Sequence, residues 1–270
     1  MEGQRKLNKK AWSWAFYDWA NSGFATTVMA GFFPIFFKSY WAGDLDPAQS
    51  TFAIGSINSF VGLLIAISAP ILGALADVGR VKKRFLLFFA LIGILSTGYL
   101  FFIPESSWKL AILFYGLGVI GFSGGNIFYD ALIVSVSSPN ERNRTSSLGF
   151  SLGYLGGGLL FLLNVAMYLY PHWFGLSGPA DAVLWSFLSV AIWWFIFSMP
   201  LLLYVKETSD LVEKENINIV TTAFTNLLST AKSVRNYKKV VIFLLAYFLY
   251  MDGVDTIIRM ATSYGSASGL

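Results

Sequence analysis

Two acidic side chains stand inside long apolar stretches of this 270-residue chain, where acidic residues are rare. Asp18 lies in the first such stretch and Asp130 in the fourth. A charged side chain in lipid is costly, so each carboxylate is expected to face the protein interior or a water-filled cavity. By helical rise, each lies about 9 Å inside the same end of its stretch. The spacing therefore predicts two carboxylates at one depth, able to bind the amine of a substrate or carry a proton.

Further polar residues extend this candidate site. Four of them lie within one helical turn of the two carboxylates, namely Tyr17, Asn21, Asn126 and Tyr129. The last apolar stretch adds Asp252, near the bilayer centre, and Asp255 and Arg259, which are spaced to pair along one helix face. These nine residues are predicted to form a substrate or proton site. The alternative stays open that each Asp only caps or hydrogen-bonds a neighbouring helix.

The apolar stretches themselves are long enough to position these residues in a membrane. Hydrophobic residues make up 56% of the chain and charged residues 13%, and the mean hydropathy is +0.61. A helix needs roughly 20 mostly apolar residues to cross the hydrocarbon core. The sequence therefore predicts seven spans, at about 12–37, 51–76, 85–104, 108–136, 145–170, 183–205 and 240–262.

The basic residues lie mostly on one side of these spans. Of the 19 Lys and Arg residues, all but Lys38, Lys109 and Arg259 fall on the side of the N-terminus. This asymmetry predicts a cytoplasmic N-terminus, with a bacterial inner membrane as the expected host, and argues against a nucleic-acid partner for the net charge of +4. Trp12 and Trp14 are expected in the aromatic belt at the cytoplasmic interface.

The residue types that hold metals and cofactors are scarce. The chain has no Cys, and its single His172 lies in a short loop. We therefore predict no metal site and no cofactor. A membrane-embedded enzyme would need His, Cys or a carboxylate-rich cluster near the interface, so the sequence predicts a protein that is not an enzyme.

The loop after the second span runs Gly-Ala-Leu-Ala-Asp-Val-Gly-Arg, from Gly73 to Arg80. Asp77 can pair with a basic residue or cap the next helix, Gly73 permits close approach of a neighbour, and Gly79 permits a tight turn. This loop resembles the signature of the major facilitator superfamily, with a spacing between Asp and Gly that is one residue shorter. The resemblance implies a conformational latch, carried by Gly73, Leu75, Asp77, Gly79 and Arg80.

The fifth span is rich in glycine. Gly153, Gly157 and Gly158 resemble the Gly-Pro-x-x-Gly-Gly element of superfamily antiporters, with Tyr154 in place of the proline. Glycines at this density let helix backbones touch and soften the helix where it bends. Helix packing and gating therefore both stay open as roles for these glycines.

Several stretches together resemble one branch of the superfamily. They are Trp-Ala-Phe-Tyr-Asp-Trp-Ala-Asn-Ser in span one, Tyr-Asp-Ala-Leu in span four, Pro139-x-Glu141, and Gly-Tyr-Leu-Gly-Gly in span five. The branch is the family similar to the autophagy-related vacuolar amino-acid effluxers. The resemblance implies an all-α integral membrane fold of two six-helix halves, and secondary active or facilitative transport of small solutes by alternating access. Amino acids are implied as solutes, with protons and membrane lipids as further partners.

The predicted organisation has three parts. They are a six-helix transmembrane domain over 1–205, a cytoplasmic connector over 206–239, and a seventh span with the start of a second half over 240–270. We expect the sequence to be truncated. Within the connector, 220–237 is expected as a solvated linker, with a surface helix as the alternative. The other functional hypotheses are a non-transporting scaffold or receptor-like subunit, and a non-functional fragment.

Overall fold

The computed structural model describes residues 7–79, 81–207, 219–235 and 237–267, and over these ranges the protein is almost wholly helical, with no strand. We number the helices α1 (Lys9–Trp41), α2 (Pro47–Gly79), α3 (Lys82–Tyr99), α4 (Trp108–Val136), α5 (Arg142–Leu169), α6 (Pro179–Tyr204), α7 (Ile219–Arg235) and α8 (Lys238–Ala267). The predicted all-α class is confirmed.

Six of these helices, α1 to α6, are long and apolar enough to cross a membrane. They coincide with the first six predicted spans, although five of them begin three or four residues before the predicted start and α3 ends five residues before the predicted end. The chain is therefore a multi-pass integral membrane protein. Helix α8 covers the seventh predicted span, and its crossing of the membrane stays a prediction.

Helix α1 is the central element of the six. It packs against α4, α5 and α6, while α3 packs closely along α4 and also contacts α6. The approach of α3 to α4 depends on glycine, because a Cβ at Gly121 of α4 would overlap the backbone of Gly93 in α3. Small residues at such crossings let helices approach closely, and dispersion contacts then stabilise the pair.

The second half of α1 is wound more loosely than an α-helix. Its segments Phe24–Phe32 and Phe37–Trp41 are π-helical, and the Ala42 N–H donates to the carbonyl oxygen of Phe37, five residues back, at 2.8 Å. Side chains in this part tie α1 to α5, since the Thr26 hydroxyl donates to the Gly157 carbonyl oxygen at 3.1 Å. π-Helical turns inside transmembrane helices frequently occur beside functional sites.

Part of the connector is helical. Helix α7 packs against the C-terminal end of α2, where Ala223 and Leu227 meet Ile71 and Leu75. The expectation of a solvated linker is therefore wrong over Ile219–Arg235, and the surface helix is present. Ala223 and Leu227 are four residues apart, so both lie on the face that α2 covers.

Candidate functional site

A cavity of about 400 Å³ opens between α1, α4 and α5, at the end of the bundle where α1 and α5 begin and α4 ends. This volume lies within the range of small-molecule sites. The cavity is lined by Trp14, Asp18, Asn126, Tyr129, Asp130, Ile133, Ser146 and Phe150. Within the part of the chain that the structure describes, no Lys, Arg or His lines it.

The two carboxylates of the sequence analysis meet in this cavity. Asp18 is half-buried and accepts a hydrogen bond from the Ser22 hydroxyl at 3.4 Å. Asp130 is exposed on the open side of the same cavity. The structure thus brings together, from α1 and α4, two acids that lie far apart in the sequence.

The two asparagines bridge α1 and α4 beside the carboxylates. The Asn21 Nδ2 donates to the Asn126 Oδ1 at 2.6 Å, and Asn21 itself is only 1% exposed. Asn126 lines the cavity, whereas Asn21 supports it from behind. A hydrogen bond between amide side chains helps to hold two membrane helices together, and here it joins α1 to α4 beside the carboxylates.

An aromatic stack forms one wall. The rings of Trp14 and Tyr129 lie parallel with their centroids 4.2 Å apart, and the Trp14 Nε1 donates to the Tyr129 carbonyl oxygen at 2.8 Å. Trp14 is only 3% exposed, so its assignment to the interfacial belt is wrong. Its indole has hydrogen-bond and stacking partners inside the protein. Trp12 is 43% exposed, as expected for the belt.

The two tyrosines have different surroundings. Tyr17 is fully buried behind Tyr129, and its hydroxyl lies 2.8 Å from where a Cβ at Gly125 would be. It therefore contacts the cavity only through Tyr129. Tyr129 lines the cavity, is 5% exposed, and its hydroxyl has no hydrogen-bond partner among the described residues.

The glycine-rich face of α5 brings that helix against the site. A Cβ at Gly153 would lie 2.9 Å from the Asp18 Cγ, and one at Gly157 would lie 3.0 Å from the Ser22 carbonyl oxygen. Gly158 differs, because a Cβ there meets nothing within 4 Å. Sequence analysis did not single out Gly149 and Gly156, which contact Trp14 and Trp19.

The cavity has other residues that sequence analysis did not assign to it. Ile133, Ser146 and Phe150 line it together with Trp14. A signal for two of them exists in the sequence, since Ile133 follows Asp130 by three residues and Phe150 follows Ser146 by four. Such spacings place side chains on one helix face.

The loop predicted as a latch lies between the end of α2 and the start of α3, close to the C-terminal end of α6. Asp77 pairs with Lys82 at 2.6 Å. The next residue contacts α6 instead, because the Lys83 Nζ donates to the carbonyl oxygens of Leu202 and Val205 at 2.5 and 2.8 Å. The Lys83 N–H in turn donates to the Glu207 Oε1 at 2.6 Å. Lys83, near the start of α3, therefore caps the C-terminal end of α6. Glu207, which follows α6, caps the N-terminal end of α3.

The remaining predicted latch residues have varied positions. Leu75 contacts α7, and α2 ends at Gly79. A Cβ at Gly73 meets nothing within 4 Å, so no described neighbour uses the close approach expected there. Arg80 lies outside the described residues.

The seventh predicted span carries three of the predicted site residues. Helix α8 contains Asp252, Asp255 and Arg259, and their side chains lie outside the described residues. The described backbone of α8 contacts the Phe24–Phe32 and Phe33–Phe36 segments of α1.

The chain matches a known family along nearly its whole length. The family described as "Vacuole effluxer Atg22 like" matches residues 6–138 and 134–268. The chain therefore belongs to this family, as its resemblance indicated.

Its relatives include bacterial and fungal proteins. The chain is 40% identical to the MFS-type transporter YxiO of Bacillus subtilis, over 98% of this chain and 62% of that protein. It is 23% identical to autophagy-related protein 22 of Yarrowia lipolytica, over 79% of this chain and 48% of that protein. It is also 23% identical to autophagy-related protein 22 of Saccharomyces cerevisiae, over 83% of this chain and 48% of that protein. The chain thus spans less than two thirds of these relatives, and no solved structure matches it.

Proposed function

We propose that this chain is the six-helix half, with connector and following helix, of a transporter that moves small solutes by alternating access. The observation that carries the proposal is the shared cavity of Asp18 and Asp130, which α1, α4 and α5 line. Transporters of this architecture bind solute between two halves that rock around a central site. A cavity open at one end of one half suits that role.

The names of the family and of its relatives bear on the direction of transport and on the kind of solute. The family description names a vacuole effluxer, and the Bacillus relative is named as a transporter. These names support export of small solutes, and they favour a transporter over an enzyme or a non-transporting scaffold. Amino acids are the solutes that the resemblance of the sequence implies. The basic residues near the N-terminus and in the connector support a cytoplasmic N-terminus in a bacterial plasma membrane.

The two carboxylates supply the chemistry that solute binding and proton coupling require. A carboxylate in a partly dry cavity needs a counter-charge or a proton, because an unpaired buried charge is costly. Solute and proton can therefore occupy the same acids in turn. This competition would couple solute movement to protons, with Asp18, the more buried acid, as the first choice for the exchange.

The test is flux of labelled amino acids from preloaded proteoliposomes that contain the transporter of which this chain is the half, or its variants. Asp18→Asn and Asp130→Asn are expected to lower flux at least tenfold. Asp44→Asn makes the same change in the exposed loop after α1 and is expected to leave flux unchanged. Equal flux through all four proteins would remove the site, and no flux above empty liposomes would contradict transport by the protein that contains this half.

A further inference from the structure

We infer that the cavity selects organic ammonium ions over the zwitterionic amino acid that has the same side chain. The inference rests on the proposed function, because it assigns a chemical class of solute to the same site. It follows from the charges, the hydrogen-bond acceptors and the apolar surface of the cavity lining.

The charge of the lining is one-sided. Asp18 and Asp130 contribute two carboxylates, and the other polar members, Asn126, Ser146 and Tyr129, are neutral. Within the described residues, no cation lines the cavity to balance them. Two like charges in a partly dry cavity repel each other, and an ammonium ion between them supplies the missing counter-charge.

The acceptors match the donors of a primary ammonium group. Such a group has three N–H donors and no acceptor. Asp18 and Asp130 each offer carboxylate oxygens, and the Tyr129 hydroxyl offers a third acceptor. This hydroxyl is buried, and it lacks a partner among the described residues. A buried hydroxyl without a partner costs free energy, which a bound donor recovers.

The remaining lining suits a hydrocarbon side chain. Trp14, Ile133 and Phe150 supply apolar surface around the polar group. Phe150 is 64% exposed, so its ring is available to a ligand. Aromatic rings also attract cations through the negative charge of their faces.

The described lining offers no cationic partner for the carboxylate of a bound amino acid. The carboxylate of a bound amino acid would lie within a few bond lengths of its ammonium group, and so close to Asp18 and Asp130. Two basic residues of α5 precede the lining, Arg144 two residues before Ser146 and Arg142 one turn before it, and neither is among the residues that line the cavity. Like-charge repulsion over such short distances therefore disfavours the zwitterion.

The experiment compares three probes with one hydrocarbon skeleton. They are 3-methylbutylamine, leucine, and 4-methylpentanoate, which carry the ammonium group alone, both groups, and the carboxylate alone. Binding of each to the chain is measured in nanodiscs of zwitterionic lipid, so that adsorption of the amine to anionic lipid does not contribute. We expect the amine to bind at least tenfold more tightly than leucine, and the carboxylate not to compete.

Variants of the cavity residues test whether the amine binds in this cavity. Asp130→Asn, at an exposed position whose change does not endanger folding, is expected to weaken amine binding at least tenfold, and Asp18→Asn at least as much. Asp44→Asn, in the opposite loop, is the matched control and is expected to bind the amine normally. Arg142→Gln is expected to change neither amine nor leucine binding.

The outcomes separate the inference from the proposed function. Leucine binding as tight as that of the amine, or leucine binding that depends on Arg142, overturns the preference for cations and leaves the solute site in place. Binding of none of the probes, or amine binding that survives both acid-to-amide changes, overturns the site itself and the preference with it.

Discussion

Asp18 is held in its position by contacts on two sides. The Ser22 hydroxyl donates to its carboxylate at 3.4 Å, and the absence of a side chain at Gly153 leaves room for it against α5. A carboxylate in the apolar part of a membrane protein persists only where the protein provides such space and partners. The glycine is thus as much a part of the site as the acid.

Gly153→Ala tests this dependence. The new Cβ would lie 2.9 Å from the Asp18 Cγ, so either the carboxylate or α5 must shift. We expect solute binding to weaken roughly tenfold and overpacking to lower stability by about 1–3 kcal/mol, measured by ligand binding and thermal unfolding.

Gly158→Ala is the matched control five residues further along α5. A Cβ there meets nothing within 4 Å, and alanine favours the helix by about 1 kcal/mol over glycine. Binding and stability are expected to be retained or slightly improved. A loss equal to that of Gly153→Ala would show that the clash with Asp18 is not the cause.

Water access to the cavity can be measured directly, because the chain has no native Cys. Ser146→Cys places a thiol in the cavity lining, whereas Ser186→Cys places one in the fully buried part of α6. We expect a charged, membrane-impermeant methanethiosulfonate to modify the first at least tenfold faster than the second, read out by mass spectrometry. Equal rates would mean that the cavity is dry.

Much of the residue-scale description was predictable from the sequence. The depth of Asp18 and Asp130 and the one-turn spacing of their asparagines follow from helical rise alone. The role of Trp14 was not predictable in this way, because a Trp near a span end has the same sequence signal in a lipid belt and in a stack on Tyr129. Only the rotation of α1 about its axis distinguishes the two.

At the scale of the elements, close contacts of glycine determine how the helices approach one another. Helix α5 presents Gly149, Gly153, Gly156 and Gly157 to α1, and α3 meets α4 where Gly93 faces Gly121. The sequence indicated a glycine-rich fifth span, yet it could not say which glycines face α1. Gly158, singled out by resemblance, faces away, and Gly156 contacts Trp19 instead.

Gly121→Ala tests the contact between α3 and α4. The added methyl group would overlap the Gly93 backbone, which cannot rotate away as a side chain can. We expect a loss of about 1–3 kcal/mol in stability, seen as a lower midpoint of thermal unfolding in detergent. Gly62→Ala, at a position of α2 with nothing within 4 Å, is the control and is expected to be at least as stable as the parent. Unfolding midpoints that agree for both variants would contradict a tight crossing at Gly121.

The helix ends at the latch loop show what resemblance did and did not supply. The residues themselves predicted that Asp77 could pair with a basic residue, and Asp77 pairs with Lys82. The resemblance added only the latch role. It did not predict that Lys83 and Glu207 would cap the ends of α6 and α3. These two residues are 124 positions apart, and no local pattern in the sequence relates residues so distant.

At the scale of the whole molecule, the candidate site depends on bringing together helices that are distant in the sequence. Asp18 belongs to α1 and Asp130 to α4, and the hydrogen bond between Asn21 and Asn126 joins the two helices. The seven apolar stretches predicted the spans, and the spans coincide with helices. Their lateral arrangement was available only through resemblance, because periodicity gives no neighbour for a helix that is apolar on all sides.

The account's central claim is that Asp18 and Asp130 bind one ligand together. The most direct measurement is a double-mutant cycle on binding of 3-methylbutylamine, with Asp18→Asn, Asp130→Asn and both changes in one chain. Residues that share a ligand in one cavity show non-additive effects, whereas independent sites add. We predict that each single change weakens binding at least tenfold and that the double variant loses much less than the product of the two. Strictly additive losses, or binding that neither change affects, would contradict the account.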